Sequence, residues 1–227
     1  MGVLYPQTCC FCGTLCGKYV CSKCIPLLEY IKEPVCKKCG KPILESREML
    51  CFDCSKNVNY FKQGKSLWLH SGRVRWSIYQ FKYHNRRTYG LYYADEMWRR
   101  FGEQIRQWEI DVIIPVPLHP KRKRERGYNQ SEILAKRLGK RLNIPVDAKA
   151  VIRKKKTTAQ KNLNHKERAE NMRDAFEVRK MRKNIKNILI VDDIYTTGNT
   201  INELSKALQK KGDFQVFFLT ISIGQGF

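Results

Sequence analysis

Apolar residues fall along this chain in two rhythms. Lys65-Ser-Leu-Trp-Leu-His70, Asp111-Val-Ile-Ile-Pro-Val-Pro117, Ile185 to Val191 and Gln215 to Ile223 are short, dense runs that read as strands. Between them apolar positions recur every three or four residues: Val74, Ile78 and Phe81 over Arg73 to Tyr83; Leu91, Met97, Phe101 and Ile105 over Thr88 to Trp108; Ile133, Leu134, Leu138 and Leu142 over Gln130 to Leu142; Ile201, Leu204 and Leu208 over Thr200 to Lys211. That spacing gathers apolar side chains on one helical face, and Gly212 is expected to stop the last helix. Prolines 115 and 117 end the second strand, because proline cannot donate to a central ladder. Strand and helix in alternation predict an α/β fold, a parallel sheet flanked by helices, over residues 59–227.

Before residue 59 the rhythm disappears and cysteine takes over. All ten cysteines of the chain lie between Cys9 and Cys54. Four Cys-x2-Cys pairs stand out: Cys9/Cys12, Cys21/Cys24, Cys36/Cys39 and Cys51/Cys54, with Cys10 and Cys16 left over. Such pairs form knuckles that present two thiolates to one tetrahedral metal. The simplest assignment is two structural zinc sites, one from Cys9, Cys12, Cys21 and Cys24, the other from Cys36, Cys39, Cys51 and Cys54. The spacings leave crossed pairing or a single occupied site open. With little apolar material of its own, the segment over residues 1–58 is expected to fold around metal as a separate small domain.

Charge narrows the class of partner. The 227 residues carry 44 Lys and Arg against 21 Asp and Glu, a formal net charge of +23. An excess of that size suits a polyanion: nucleic acid, a phosphorylated metabolite or an acidic membrane surface. Met1 to Gln7 has neither a basic start nor an apolar run, and no window approaches the ~20 apolar residues of a spanning helix. The expected location is the cytoplasm.

The chemistry concentrates in Ile188-Leu-Ile-Val-Asp-Asp-Ile-Tyr-Thr-Thr-Gly-Asn-Thr200. An aliphatic strand runs into two carboxylates and then a hydroxyl-rich loop at a helix start. Asp192 and Asp193 are expected to face solvent and ligand beyond the strand's carboxyl end, where open α/β sheets bind. Thr196, Thr197, Gly198, Asn199 and Thr200 supply hydroxyls, free amides and the positive helix end, an anion cradle. Acids beside a phosphate cradle suit a sugar phosphate. Leu118 to Gly127, a basic loop containing Lys121 and Arg122, lies after the second strand and is expected to attract further phosphate or a DNA backbone.

Val191-Asp-Asp-Ile-Tyr-Thr-Thr-Gly-Asn-Thr200 resembles the phosphoribosyl-pyrophosphate (PRPP) motif of type I phosphoribosyltransferases. The order of the four cysteine pairs, Phe81-Lys-Tyr83, Pro115-Val-Pro-Leu-His119, Arg126-Gly-Tyr-Asn-Gln130, Thr157 to Asn171 and the Asp-Asp motif resembles the ComF family over nearly the whole chain. The resemblance implies a double zinc ribbon joined to a phosphoribosyltransferase-like domain and a role in natural competence, the uptake of transforming DNA. It implies that Asp192 and Asp193 hold ribose hydroxyls, that residues 196–200 hold the 5′-phosphate of PRPP or ribose 5-phosphate with Mg²⁺, and that Lys121 and Arg122 lie by the pyrophosphate. It places Thr157, Gln160, Arg168 and Asn171 on a hood closing over PRPP. Expected partners are single-stranded DNA and a DNA-uptake helicase or recombination-loading proteins, which would draw the chain to the inner face of the membrane. Two other readings stay open: a nucleotide-salvage phosphoribosyltransferase with a small-molecule acceptor, and an adaptor whose site recognises a DNA end without turnover.

Overall fold

The computed structural model describes residues 7–45, 47–154 and 174–224. Four strands, β1 (Gln63–Leu69), β2 (Val112–Pro115), β5 (Asn187–Tyr195) and β6 (Gln215–Ile223), form one sheet in the order β1-β6-β5-β2, every pair parallel. β6 is buried from Val216 to Ile223, as a central parallel strand must be when both faces are covered. β2 is an edge strand, which accommodates Pro115, and its outer side is met by a parallel bridge from Ile113 to Val146. At Gly64 a Cβ would overlap the ring of Phe218, so only glycine lets β1 approach β6 at that register.

Side-chain alternation divides the core in two. Leu189 and Val191 of β5, with Phe217 and Leu219 of β6, face α2 (Gly72–Tyr83), α3 (Tyr89–Gln107) and α5 (Gln130–Leu142). Ile188, Ile190, Val216 and Phe218 face α6 (Asn199–Gln209) and the antiparallel pair β3 (Val151–Arg153) and β4 (Phe176–Val178). The cysteine-rich segment contributes to both layers. Cys9, Cys10, Phe11, Val20 and Cys24 join the first, and Cys36, Cys39, Ile43, Cys51 and Cys54, the last on helix α1 (Phe52–Lys56), join the second. Phe11 meets Trp68, Tyr92 and Tyr93 edge-on, with centroids 5.6 to 6.3 Å apart.

Several expected boundaries shift. The third parallel strand does not stop at Val191. β5 continues to Tyr195 because β6 reaches Ile223 and supplies ladder partners, Asp192 opposite Thr220 and Ile194 opposite Ser222. The 118–127 segment is not a loop: Pro120–Arg126 forms helix α4, opened by Pro120 at its first turn and by the His119 side chain, which accepts from the Lys121 amide at 3.3 Å. Gly212 is not a left-handed helix stop. The helix is capped at Lys210 in right-handed geometry, and Gly212 packs where a Cβ would crowd the Phe214 ring at 2.9 Å. The long third helix is separated from α2 by a break at residues 84–88. Among the described residues no helix is long and apolar enough to cross a membrane.

Candidate functional site

A cavity of about 1110 Å³ opens over the carboxyl ends of the parallel strands. His70 enters it from β1, Val116 from the end of β2, Asp192 to Tyr195 from β5, and Gly198 to Ile201 from the start of α6.

The two acids take different partners. Asp192 accepts from the Ser131 hydroxyl at 2.8 Å and from the Asp193 amide at 2.9 Å. Asp193 pairs with Lys82 of α2 at 2.8 Å. Both acids line the cavity, but they are less exposed than expected: Asp193 is buried and Asp192 partly so, since the strand carries on past them and helices α2 and α5 close in. Burial, and then the Asp193 charge, push the Asp192 carboxyl up from 3.8 to about 7; Lys82 and Ser131 offset part of this. His70, whose Nδ1 lies 2.9 Å from the Ser222 hydroxyl, is kept neutral by burial and by Lys82, with its pKa lowered to about 4.

After Tyr195 the chain turns through Gly198, at φ +80°, into α6. A Cβ at 198 would overlap the Tyr195 hydroxyl and ring, so the loop lies folded over that tyrosine. The first amides of α6 have no intrahelical acceptor, and the positive helix end points at the cavity that Thr196, Asn199 and Thr200 line. Thr197 departs from this set. It lines a second cavity of about 160 Å³ with Asn57, Val58 and Asn202, and its Oγ1 and the Asn199 Nδ2 are enclosed without a partner among the described residues.

Cations ring the main cavity: Arg75 and Lys82 from α2, Arg122 and Arg126 from α4, and Arg153 from the end of β3. Arg126 lies over the Tyr83 ring at 5.0 Å and donates to Gln130 at 2.6 Å. Burial, and then Arg122 nearby, lower Arg153 to about 10, which leaves it charged at neutral pH. Of the two basic residues singled out in the sequence, Arg122 reaches the cavity. Lys121 is exposed on α4 and does not line it, because helix formation turns adjacent residues to different sides. Lys82, Ser131, His70 and Arg75 join the site without being expected there, whereas Arg126 belongs to the basic 118–127 segment and Arg153 opens the polar segment that the resemblance reads as the hood. Lys82 and Arg126 stood inside motifs already quoted. Ser131 carries no sequence signal, since tertiary packing alone brings it in. Thr157, Gln160, Arg168 and Asn171 lie outside the described residues.

The cysteines meet in two tetrads. The thiols of Cys9, Cys12, Cys21 and Cys24 lie within 4.8 Å of one another, as do those of Cys36, Cys39, Cys51 and Cys54. Sγ separations of 3.7 Å (Cys12–Cys21) and 3.6 Å (Cys39–Cys51) match the ~3.8 Å edge of a tetrahedron with ~2.3 Å metal–sulfur bonds. Both sets therefore fit a tetrahedral, all-thiolate metal. Cys10 is buried in the core, and Cys16 donates to the Lys18 carbonyl at 3.0 Å; neither joins a tetrad.

Residues 1–55 match the Double zinc ribbon domain family. Competence protein F of Haemophilus influenzae is 33% identical over 202 residues, spanning 85% of this chain and 85% of that protein. The chain belongs to the ComF family. Competence protein ComFC of Bacillus subtilis is 25% identical over 202 residues, spanning 85% of this chain and 79% of its own length. DNA utilization protein YhgH of Escherichia coli K12 is 35% identical over 102 residues, 45% of this chain and 44% of that protein. In this ComF-family chain the zinc-ribbon tetrads and the sheet-end cavity thus occur in one fold.

Proposed function

We propose that this ComF-family protein serves DNA uptake from the cytoplasmic side and binds a phosphorylated ribose, PRPP or ribose 5-phosphate, in the sheet-end cavity. The observation that carries the reading is the shared floor of that cavity: a glycine turn into a helix N-terminus stands beside two carboxylates and faces Arg122 and Arg126. The helix mouth of α6 takes the 5′-phosphate. Asp192 and Asp193 accept from the ribose hydroxyls, and the arginines face the diphosphate. Carboxylate oxygens also suit Mg²⁺, which binds through one or two acids together with substrate phosphates. Zinc in the two tetrads is the structural metal, held by four thiolates with no open position. The names of the relatives support the role in competence and DNA utilisation, and the net charge of +23 supports contact with single-stranded DNA and its handling proteins.

Calorimetric titration with PRPP and Mg²⁺ tests the site. Wild type is expected to bind, and Asp193→Asn to bind at least tenfold more weakly; equal affinities would remove the sugar-phosphate reading. Pyrophosphate release on adding a nucleobase would move the assignment to a nucleotide-salvage transferase.

A further inference from the structure

Helix α6 joins two parts of the molecule that the functional reading treats separately. Its N-terminus is the phosphate loop. One turn on, Asn202 is clamped to the segment that leaves the second tetrad: its Oδ1 accepts from the Tyr60 amide at 2.7 Å, and its Nδ2 donates to the Val58 carbonyl at 2.8 Å. The same helix holds that segment again at Gln209, which donates to the Tyr60 carbonyl at 2.9 Å, and at Lys206, which lies over the Tyr60 ring at 5.6 Å.

The loop is braced from beneath as well. Tyr195, over which the 196–200 loop folds, stacks on Phe218 at 4.8 Å and meets Phe61 edge-on at 6.3 Å. Phe61 and Tyr195 share one apolar cluster with Cys36, Cys39, Cys51, Cys54 and Ile201. Lys38, between two of those cysteines, donates to the Phe61 carbonyl at 3.2 Å. A change in the second tetrad therefore has two short routes to the loop, one through Asn202 and one through Phe61 and Tyr195. The first tetrad packs in the other core layer and, among the described residues, has neither.

We propose that Asn202 is a positioning residue through which metal in the second tetrad and phosphate in the loop are linked, each strengthening the binding of the other. The linkage is reciprocal by thermodynamic necessity. Loss of metal from Cys36, Cys39, Cys51 and Cys54 frees the 58–60 segment, unclamps the first turn of α6 and lowers phosphate affinity. Bound phosphate, in turn, holds the clamp closed and slows escape of that metal. This extends the sugar-phosphate reading of the site and rests on it for the ligand arm alone.

The test uses the full-length, zinc-loaded protein. With PRPP and Mg²⁺ as the probe, Asn202→Ala, which removes both bonds, is expected to weaken binding about tenfold while total zinc per chain stays at the wild-type value. Asn202→Asp, which keeps the acceptor and loses the donor, should fall between. Saturating PRPP should slow chelator capture of one zinc per chain severalfold and leave the other unchanged. A third readout needs no sugar phosphate: replacing Asn202 by Ala should speed hydrogen exchange of the amides over residues 198–204. If wild type fails to bind PRPP but exchange accelerates as expected, the ligand assignment falls and the structural clamp stands. Wild-type affinity and wild-type exchange in Asn202→Ala, or equal slowing of both zincs, would overturn the linkage.

Discussion

At the scale of single residues the site turns on Asp192, whose proton the fold retains to about pH 7. In the unfolded chain the same group titrates near 3.8. Between those values the native state binds more protons than the unfolded state, so this group's effect on stability worsens as pH rises through the window and levels off above it. Asp192→Asn keeps an acceptor for Ser131 and has no charge to bury. Urea unfolding is expected to show the variant gaining on wild type by about 2 kcal/mol more at pH 8 than at pH 5. The same gain at both pH values would mean that Asp192 is ionised across the range. The sequence displayed the acid pair and the loop, yet it gave no hint of Ser131 or of the burial that makes the two carboxylates unequal. A pairing 61 residues apart exists only once α5 is packed on β5.

At the scale of elements, the strand–loop–helix unit of β5 and α6 was legible because its aliphatic run, glycine and periodic face are all local signals. What lay beyond local reach was length and register. β5 outruns its aliphatic stretch because β6 offers partners through Ile223, and α4 forms from a run of charges because Pro120 and His119 start it. The pair β3/β4 is short, three residues to a strand, and was not anticipated. The loop's geometry gives a sharp expectation. Gly198→Ala puts a side chain into the left-handed region, at about 1–2 kcal/mol, and adds the overlap with Tyr195. Unfolding should register a loss of at least that size, and PRPP affinity should drop by more than tenfold. A variant that binds normally would place the phosphate elsewhere than in this turn.

Across the whole molecule, the cysteine tetrads are built into both core layers rather than appended to the sheet. The abrupt change of composition near residue 58 marks a change of local chemistry, and the segment packs into the body through Phe11 on Trp68 and through the second tetrad, which shares an apolar cluster with Phe61. Removing metal should therefore cost the entire chain. Structural zinc contributes on the order of 10 kcal/mol per site in small ribbons, and at this size each kcal/mol moves the melting point by roughly 2–4 °C. Scanning calorimetry with a strong chelator is expected to show a single transition lowered by more than about 10 °C. A body transition that stays in place while a small one vanishes would show that residues 1–58 fold apart.

The turn at Gly198 is proposed to grip the phosphate of a ribose held by Asp192 and Asp193. A crystal structure of the protein with ribose 5-phosphate and Mg²⁺ addresses it most directly. The phosphate is expected within hydrogen-bond reach of the amides at 198–200, with ribose hydroxyls against the two acids. A phosphate bound only among the surface lysines and arginines, with Asp193 still closed on Lys82, would contradict it.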